Sequence, residues 1–263
     1  LFVFAFFFSI SPVNAGFITI TTHTSLTVTD NRIKIKVTVT NDGDEPAYNA
    51  QIYVNENHRI QVSPVKQILP VKECLDCEFQ YDLVQTKHGR YPILISINYT
   101  DINQYPFTAA TGTYYAYGVD TVSQVFGTTS NISLSRHSSL PLLLKNMDDK
   151  PRELTIQLVI PKELSILDKV KKIILQPRSE LSTAFGFRNF SALPGSRYQA
   201  FFIIEYEDQS KHYSNIVPCF ITIEAPKKFF ERYMWYIIGG SSTLFVVFIV
   251  FQFLHKKPDK EEQ

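Results

Sequence analysis

Two stretches of this chain, about 105 residues apart, carry the same landmarks in the same order, and that repetition limits the available folds more than any single residue does. Val39-Thr40-Asn41-Asp42-Gly43-Asp44-Glu45-Pro46 resembles Leu144-Lys145-Asn146-Met147-Asp148-Asp149-Lys150-Pro151. Further on, Leu75, Phe79 and Tyr81 match Leu181, Phe185 and Phe187. Gly89-Arg90-Tyr91 followed by Asn98-Tyr99-Thr100-Asp101 then matches Gly195-Ser196-Arg197-Tyr198 followed by Glu205-Tyr206-Glu207-Asp208. The offset drifts only from 105 (Val39/Leu144) to 107 (Tyr91/Tyr198), which points to two copies of one structural unit.

Each copy reads as strands. Ile33-Lys34-Ile35-Lys36-Val37-Thr38-Val39 alternates apolar and polar residues, the pattern of a strand with one buried face. Asn41-Asp42-Gly43-Asp44 supplies turn chemistry, because Asn and Gly tolerate positive φ. New strands open at Ala50-Gln51-Ile52-Tyr53-Val54 and at Thr155-Ile156-Gln157-Leu158-Val159-Ile160. Residues 91–99 and 198–206 are longer apolar strands suited to the middle of a sheet. Aromatic residues make up 14% of the chain, which favours strands as well. Residues 164–175 are the one stretch before the C-terminal run that imitates a helical period. The pattern predicts an all-β protein of two tandem immunoglobulin-like antiparallel β-sandwiches, followed by one C-terminal transmembrane α-helix.

The order strand, Asn-Asp-Gly-Asp-x-Pro-Ala, strand, Leu-Pro, Gly-x-Tyr and an apolar strand ending in Tyr-x-Asp resembles bacterial CARDB-type domains, the cell-adhesion-related immunoglobulin-like modules of surface and periplasmic proteins. The likeness covers most of the first copy, about residues 17–117. The second copy is more diverged, and its Asn146-Met147-Asp148-Asp149 has lost the turn glycine. The resemblance implies a fold and says almost nothing of function, since such modules serve as spacers, adhesive surfaces or accessory domains.

Two apolar segments stand outside the repeat. Residues 1–10 (LFVFAFFFSI), then Pro12 and the small residues of Val13-Asn14-Ala15-Gly16, have the character of a secretory leader truncated at its start. Residues 234–254 carry no formal charge and are long enough to cross about 30 Å of hydrocarbon as a helix. Tyr233, Trp235 and Tyr236 crowd one end, where aromatic rings favour the headgroup level, and Lys256 and Lys257 close the other. The expected organisation is a leader over 1–15, sandwiches over 16–120 and 121–225, a juxtamembrane linker over 226–233, a span over 234–254 and a cytoplasmic tail over 255–263. The leader places the bulk of the chain outside the cytoplasm, in a periplasm or on a cell surface. The flanking lysines decide little, because Lys227, Lys228 and Arg232 flank the outer end too.

Cys74-Leu75-Asp76-Cys77 is the sharpest local candidate for chemistry. Two cysteines at this spacing serve as a redox dithiol, half of a zinc site or a local disulfide. No βαβ pattern accompanies them, and neither Cys219 nor the six histidines supply a second ligand pair at metal-motif spacing. A local disulfide therefore ranks first, two free thiols second and redox or metal use last, and no cofactor or metal is expected. In a regular strand the two side chains fall on opposite faces, so a bridge requires Cys74 to sit on the preceding turn. Cys219 reads as a small core residue.

Three sequons begin at Asn98, Asn131 and Asn189; Asn131 and Asn189 are the glycosylation candidates, since Asn98 ends a strand. Asp101 and Asp208, at matched positions, read as turn-opening residues rather than calcium ligands. In the apolar run, Gly239 and Thr243 lie four apart, the small-residue spacing of a helix-association face. No phosphate loop, nucleophile elbow or zinc-protease motif occurs. With 26 Lys+Arg against 25 Asp+Glu, nothing in the charge balance attracts nucleic acid. The expected function is a non-catalytic, single-pass membrane protein whose outer part binds a protein or glycan, as an accessory subunit or an adhesion module, with a lateral helix partner also open. The alternative is a thiol-disulfide or metal-handling protein built on Cys74 and Cys77.

Overall fold

The computed structural model describes residues 17–29, 31–134, 136–224 and 229–254. The leader segment, the tail and residues 225–228 of the linker lie outside the described residues. The first repeat gives β1 (Ile20–Thr29), β2 (Arg32–Asn41), β3 (Ala47–Glu56), β4 (Arg59–Val62), β5 (Lys66–Leu69), β6 (Cys74–Asp82), β7 (His88–Thr100) and β8 (Pro106–Tyr117). The second gives β9 (Val125–Thr129), β10 (Ile132–Leu134), β11 (His137–Asn146), β12 (Arg152–Val159), β13 (Leu164–Ile166), β14 (Val170–Leu175), β15 (Glu180–Asn189), β16 (Arg197–Glu207) and β17 (Lys211–Ile223). One helix, α1 (Phe229–Leu254), follows. The chain is all-β with a single C-terminal apolar helix. The ambiguous stretch at 164–175 is two strands, β13 and β14, because Leu164, Ile173 and Leu175 close one edge of the second core.

In the first repeat β1-β2-β6 form one sheet and β4-β3-β7-β8 the other, with β5 also on β3. In the second, β13-β15-β11-β9 face β14-β12-β16-β17, and β10 lies parallel to β17. Each pair of sheets encloses its own core in the immunoglobulin-like manner. Ile33, Ile35, Val37 and Val39 of β2, Ile52 and Val54 of β3, and Ile93, Ile95 and Ile97 of β7 fill the first. Leu140, Leu142 and Leu144 of β11, Ile156 and Leu158 of β12, and Phe202 and Ile204 of β16 fill the second. The alternation seen in sequence is therefore the alternation of burial, as period-two geometry requires.

The repeated Asn pins the same turn in both copies. Asn41 is fully buried and donates Nδ2 to the carbonyls of Glu45 (2.8 Å) and Leu69 (3.2 Å), while its Oδ1 accepts the Gly43 N–H (3.1 Å). Asn146 donates to Lys150 O (2.9 Å) and Gln176 O (3.0 Å) and accepts from the Asp148 N–H (3.0 Å). Asp148 thus replaces the turn glycine without loss of the motif. Gly43 is needed for a different reason: a Cβ there would lie 2.3 Å from Phe17 O, where the chain entering β1 crosses the turn.

α1 begins at Phe229, five residues ahead of the apolar run, so the expected linker over 226–233 is in large part helix. The last helix-breaking residue before it is Pro226. Residues Tyr233–Phe251 have a mean hydropathy of 1.9, long and apolar enough to cross a membrane. Thr243 Oγ1 donates to Gly239 O (2.8 Å) and Ser241 Oγ to Ile237 O (2.6 Å), so these two hydroxyls are satisfied within the helix.

Candidate interaction site

The second repeat buries more than one face of its central strand. On β16, Tyr198, Ala200, Phe202, Ile204 and Tyr206 belong to the second core, yet Phe201 and Ile203, which point the other way, are each only 3% exposed. What covers them is the outer face of β7 and β8. Leu94, Ala110 and Phe201 line one small cavity, and a Cβ on Gly112 would lie 3.1 Å from the Ile216 side chain. The two sandwiches therefore pack sheet against sheet, and β1 to β17 make one compact unit.

A joint fastens one end of that interface. β7 and β17 start side by side in parallel, pairing His88 with Lys211 and Gly89 with His212. Gly89 has φ 153°, and a Cβ there would fall 2.0 Å from His212 O, so only glycine permits this approach. The His212 ring, 6% exposed, stacks on Tyr91 with centroids 4.1 Å apart, and its Nδ1 lies 2.9 Å from Arg90 O. Ser214 Oγ donates to the same carbonyl (2.9 Å). Thr121 Oγ1 accepts the Arg90 N–H and donates to His212 O (2.7 Å). Lys87 Nζ reaches Glu207 Oε2 at 2.5 Å, and the Tyr114 hydroxyl accepts the Ile216 N–H. Burial pushes the Tyr91 hydroxyl up to about 12, reinforced by Glu207 and Glu205, so it stays neutral at physiological pH.

At the other end lies a buried polar group. Glu163 is 2% exposed; Thr108 Oγ1 donates to its Oε1 (3.1 Å), while among the described residues Oε2 meets no hydrogen-bond partner, and neither does Asn98 Nδ2 nearby. Burial raises the Glu163 carboxyl above its ordinary value, offset by its own backbone N–H, the Thr108 hydroxyl and Lys162. Burial also drives Tyr198 up to about 12, with Glu163 adding to it. The Lys162 ammonium sits 4.7 Å above the Tyr53 ring, a further contact from one sandwich to the other.

Beside the interface runs a groove of roughly 1080 Å³. Its walls are residues 17–20 and Thr22 leading into and along β1, residues 107–111 of β8, and residues 193–199 with Phe220 from the second sandwich. Tyr99, Phe107, Tyr198 and Phe220 make its lining aromatic, and the Arg197 guanidinium lies 3.9 Å from the Phe220 ring centre.

Of the residues singled out in sequence, Asp101 lines this groove, while the cysteines, Asn189 and Asp208 lie away from it. Cys74 and Cys77 both lie within β6, where Cys74 is opposite Thr40 and Cys77 opposite Val37. Cys74 is exposed and 3.3 Å from Thr40 Oγ1, whereas Cys77 packs at the rim of the first core, and all three cysteines are free thiols. The local disulfide ranked first from sequence is not formed, because the turn ends at Glu73 and Cys74 already belongs to the strand, leaving the two side chains on opposite faces. Burial raises the Cys77 thiol, and Cys219 is pushed to about 11 in the second core. Asn131 is exposed, its Oδ1 accepting the Phe220 N–H (2.9 Å). Asn189 spends its amide in a turn, donating to Ala192 O and accepting from its N–H. Asp101 and Asp208 each cap a turn through Oδ1, and no group of three metal-ligating side chains occurs among the described residues. Gly239 and Thr243 lie on the described part of α1, with open space where a Gly239 side chain would stand.

Sequence reading missed the joint because Tyr91 and His212 gain meaning only from each other. One signal was present: Ala200-Phe201-Phe202-Ile203-Ile204 is apolar at every position, the mark of a strand covered on both faces.

No family model matches the chain, and no curated protein matches it. Among solved structures, an alpha-2-macroglobulin from Salmonella superposes with a TM-score of 0.33 at 9% identity, over 79% of this chain and 16% of that one. The YadV chaperone gives 0.31 at 13% identity, over 70% and 91% of the two chains. A type I cohesin from Pseudobacteroides cellulosolvens gives 0.27 at 10%, over 40% and 94%. This chain thus spans about a sixth of the macroglobulin's length, and superpositions this loose carry no functional inference.

Proposed function

We propose that this chain is a non-catalytic binding or scaffold protein, anchored by α1 and displaying its β-sandwiches outside the cytoplasm. The observation that carries the reading is the joint at Gly89, Tyr91 and His212. It holds two sandwiches as one body and so fixes the groove between them, an arrangement suited to presenting a surface of constant shape. The apolar helix supports membrane attachment, and the leader-like residues 1–15 support export. The CARDB-like order of landmarks fits a module that serves another protein or a glycan. Since strand β17 ends at Ile223 and α1 begins at Phe229, few residues separate the sandwiches from the membrane segment, which suits an accessory subunit of a membrane complex better than a long-reach adhesin. Lateral contact through Gly239 and Thr243 is compatible with this.

The thiol or metal reading has less support. Cys74 and Cys77 face opposite ways, and Cys77 is held at the core rim with a raised thiol.

Two measurements test the proposal. Protease added to intact cells or spheroplasts should digest the β-rich part and spare a short membrane-embedded fragment. Chemical cross-linking in the native membrane should give a discrete partner complex. Protection of the whole chain, or turnover of a substrate lost in a Cys74→Ser variant, would sink it.

A further inference from the structure

Each repeat has one loop that leads into its long central strand: residues 83–87 before β7 and residues 190–196 before β16. In the first repeat this loop stands beside the point where the chain leaves β8, since Gly89 pairs with Tyr117. It is also where the first sandwich docks on the body that follows it in the chain. Lys87 Nζ reaches Glu207 Oε2, and Gly89 is closed over by His212 O. The second repeat keeps the geometry. Gly195 N–H donates to Ile223 O and Ile223 N–H to Ser196 O (2.8 Å each), so its loop stands beside the point where the chain leaves β17. Here, however, the loop is uncovered. Gly195, the counterpart of Gly89, has φ 87°, and a Cβ there would have nothing within 4 Å. Phe190 is 76% exposed.

The uncovered loop reads FSALPGS, without one charged side chain, and Pro194 and Gly195 are exposed along with Phe190. Its backbone is fixed: the Phe190 and Ser191 N–H groups both donate to Glu163 O (3.0 Å), and Asn189 closes the turn on Ala192. Arginines bracket it. Arg188 and Arg197 flank it in sequence, and the Arg136 carbonyl accepts the Asn189 N–H (2.8 Å). All three side chains are exposed, and none pairs with a carboxylate among the described residues. At the opposite end of the same sandwich Arg152, Arg178 and Lys145 are neutralised by Asp148, Asp149 and Glu180. Among the described residues, Glu224 and Asp168 are the carboxylates exposed toward the Phe190 end. This end therefore combines an exposed aromatic ring with unpaired positive charge.

We propose that the Phe190 loop and its arginines rest on the lipid surface of the membrane that α1 enters. The occupant follows from the chain. Five peptide units join Glu224 to Phe229, the first residue of α1, and fully extended they reach at most about 18 Å. The end of the sandwich that carries Phe190 is thus tied close to the start of the apolar helix. Charge agrees with lipid as the partner, because guanidinium groups donate in pairs to phosphate oxygens and anionic headgroups attract basic side chains. An exposed phenyl ring on an uncharged loop enters the boundary between headgroups and acyl chains, about 5–10 Å deep. The loop of the first repeat meets the body that follows it in the chain; the same loop of the second meets the bilayer that follows.

This rests on the reading of α1 as the anchor and adds a second membrane contact to it. The chain has one tryptophan, Trp235, so Trp235→Phe with Phe190→Trp leaves a single reporter in the loop. Trp235→Phe with Val84→Trp places the reporter at the matching, also exposed, position of the first repeat. Each full chain is reconstituted in vesicles of equimolar phosphatidylglycerol and phosphatidylcholine, the latter with plain or brominated acyl chains. Bromine quenches on contact, so the reporter at 190 should lose at least about half its emission in brominated vesicles, whereas the one at 84 should lose little. Adding Arg136→Gln and Arg188→Gln, both exposed, should at least about halve the quenching at 190 with the far-ultraviolet circular dichroism unchanged. An unquenched reporter at 190, equal quenching at both positions, or indifference to the two arginines would overturn the proposal. So would a protein cross-linked through Phe190→Cys in the native membrane while the reporter in vesicles stays unquenched. Alkaline carbonate separates the failures: an unquenched chain that stays with the membrane leaves the anchor standing, and one that is washed off loses both readings.

Discussion

Tyr91 of β7 and His212 of β17 lie ring on ring, with centroids 4.1 Å apart and planes 5° from parallel, one from each sandwich. The pair sits where the only inter-repeat ladder forms among the described strands, and the His212 ring also meets Arg90 O and lies 3.4 Å from Glu205 Oε1. His212→Ala removes an aromatic contact of about 0.5–1.5 kcal/mol and a hydrogen bond of about 1 kcal/mol. Unfolding of the full chain in micelles, one cooperative transition in the parent, should separate into two by scanning calorimetry. Gly89→Ala should do the same more strongly, because its Cβ collides with the His212 carbonyl. A single transition at an unchanged Tm in both variants would mean that the joint does not couple the sandwiches.

Asn41 and Asn146 hold equivalent turns through buried amides, and neither Asp nor Ala can replace what they do. Asn→Ala at either position strands two carbonyls and one N–H, a cost of about 2–4 kcal/mol. Asn41→Asp should be at least as harmful, because a carboxylate cannot donate to Glu45 O and Leu69 O. Urea unfolding, read as a shift in midpoint at constant m, checks this. Variants within about 0.5 kcal/mol of the parent would contradict it.

Glu163 makes stability depend on pH in an unusual direction. Burial raises its carboxyl in the folded chain above the unfolded value, so the folded state holds the proton more tightly. Stability from this group is therefore greatest below the unfolded value near 4.5 and falls as pH rises through the folded value. Thr108, Lys162, Tyr99 and Tyr198 are the groups that face it. Glu163→Gln keeps an acceptor for Thr108 and carries no charge. It should raise the thermal midpoint at pH 7 to 8 and make little difference at pH 4. A variant less stable than the parent at pH 8 would refute this.

Cys74 and Cys77 should behave as two unlike, unlinked thiols. Alkylation of the folded protein followed by mass spectrometry should label exposed Cys74 fast, Cys77 slowly and buried Cys219 only on unfolding. A 74–77 bridge after mild oxidation of the folded chain would show that β6 begins later than Glu73 allows.

The elements of this fold were written locally. Alternation from Ile33 to Val39, the Asn-anchored turns at Asn41 and Asn146 and the uncharged run at 234–254 each need only near neighbours, through side-chain period, turn hydrogen bonding and the length of hydrocarbon a helix must cross. The repeat followed from these, because the same local instructions occur twice. Cys74 went the other way for an equally local reason: one residue of strand onset decides whether two cysteines three apart share a turn or face away from each other. The joint and the groove were of a different kind. Nothing near Gly89 in the sequence says that His212 O will lie against it. Those depend on how two finished sandwiches meet, through Phe201 and Ile203 covered by β7 and β8. Sequence determined which surfaces each sandwich would have; only their packing decided which of them were buried.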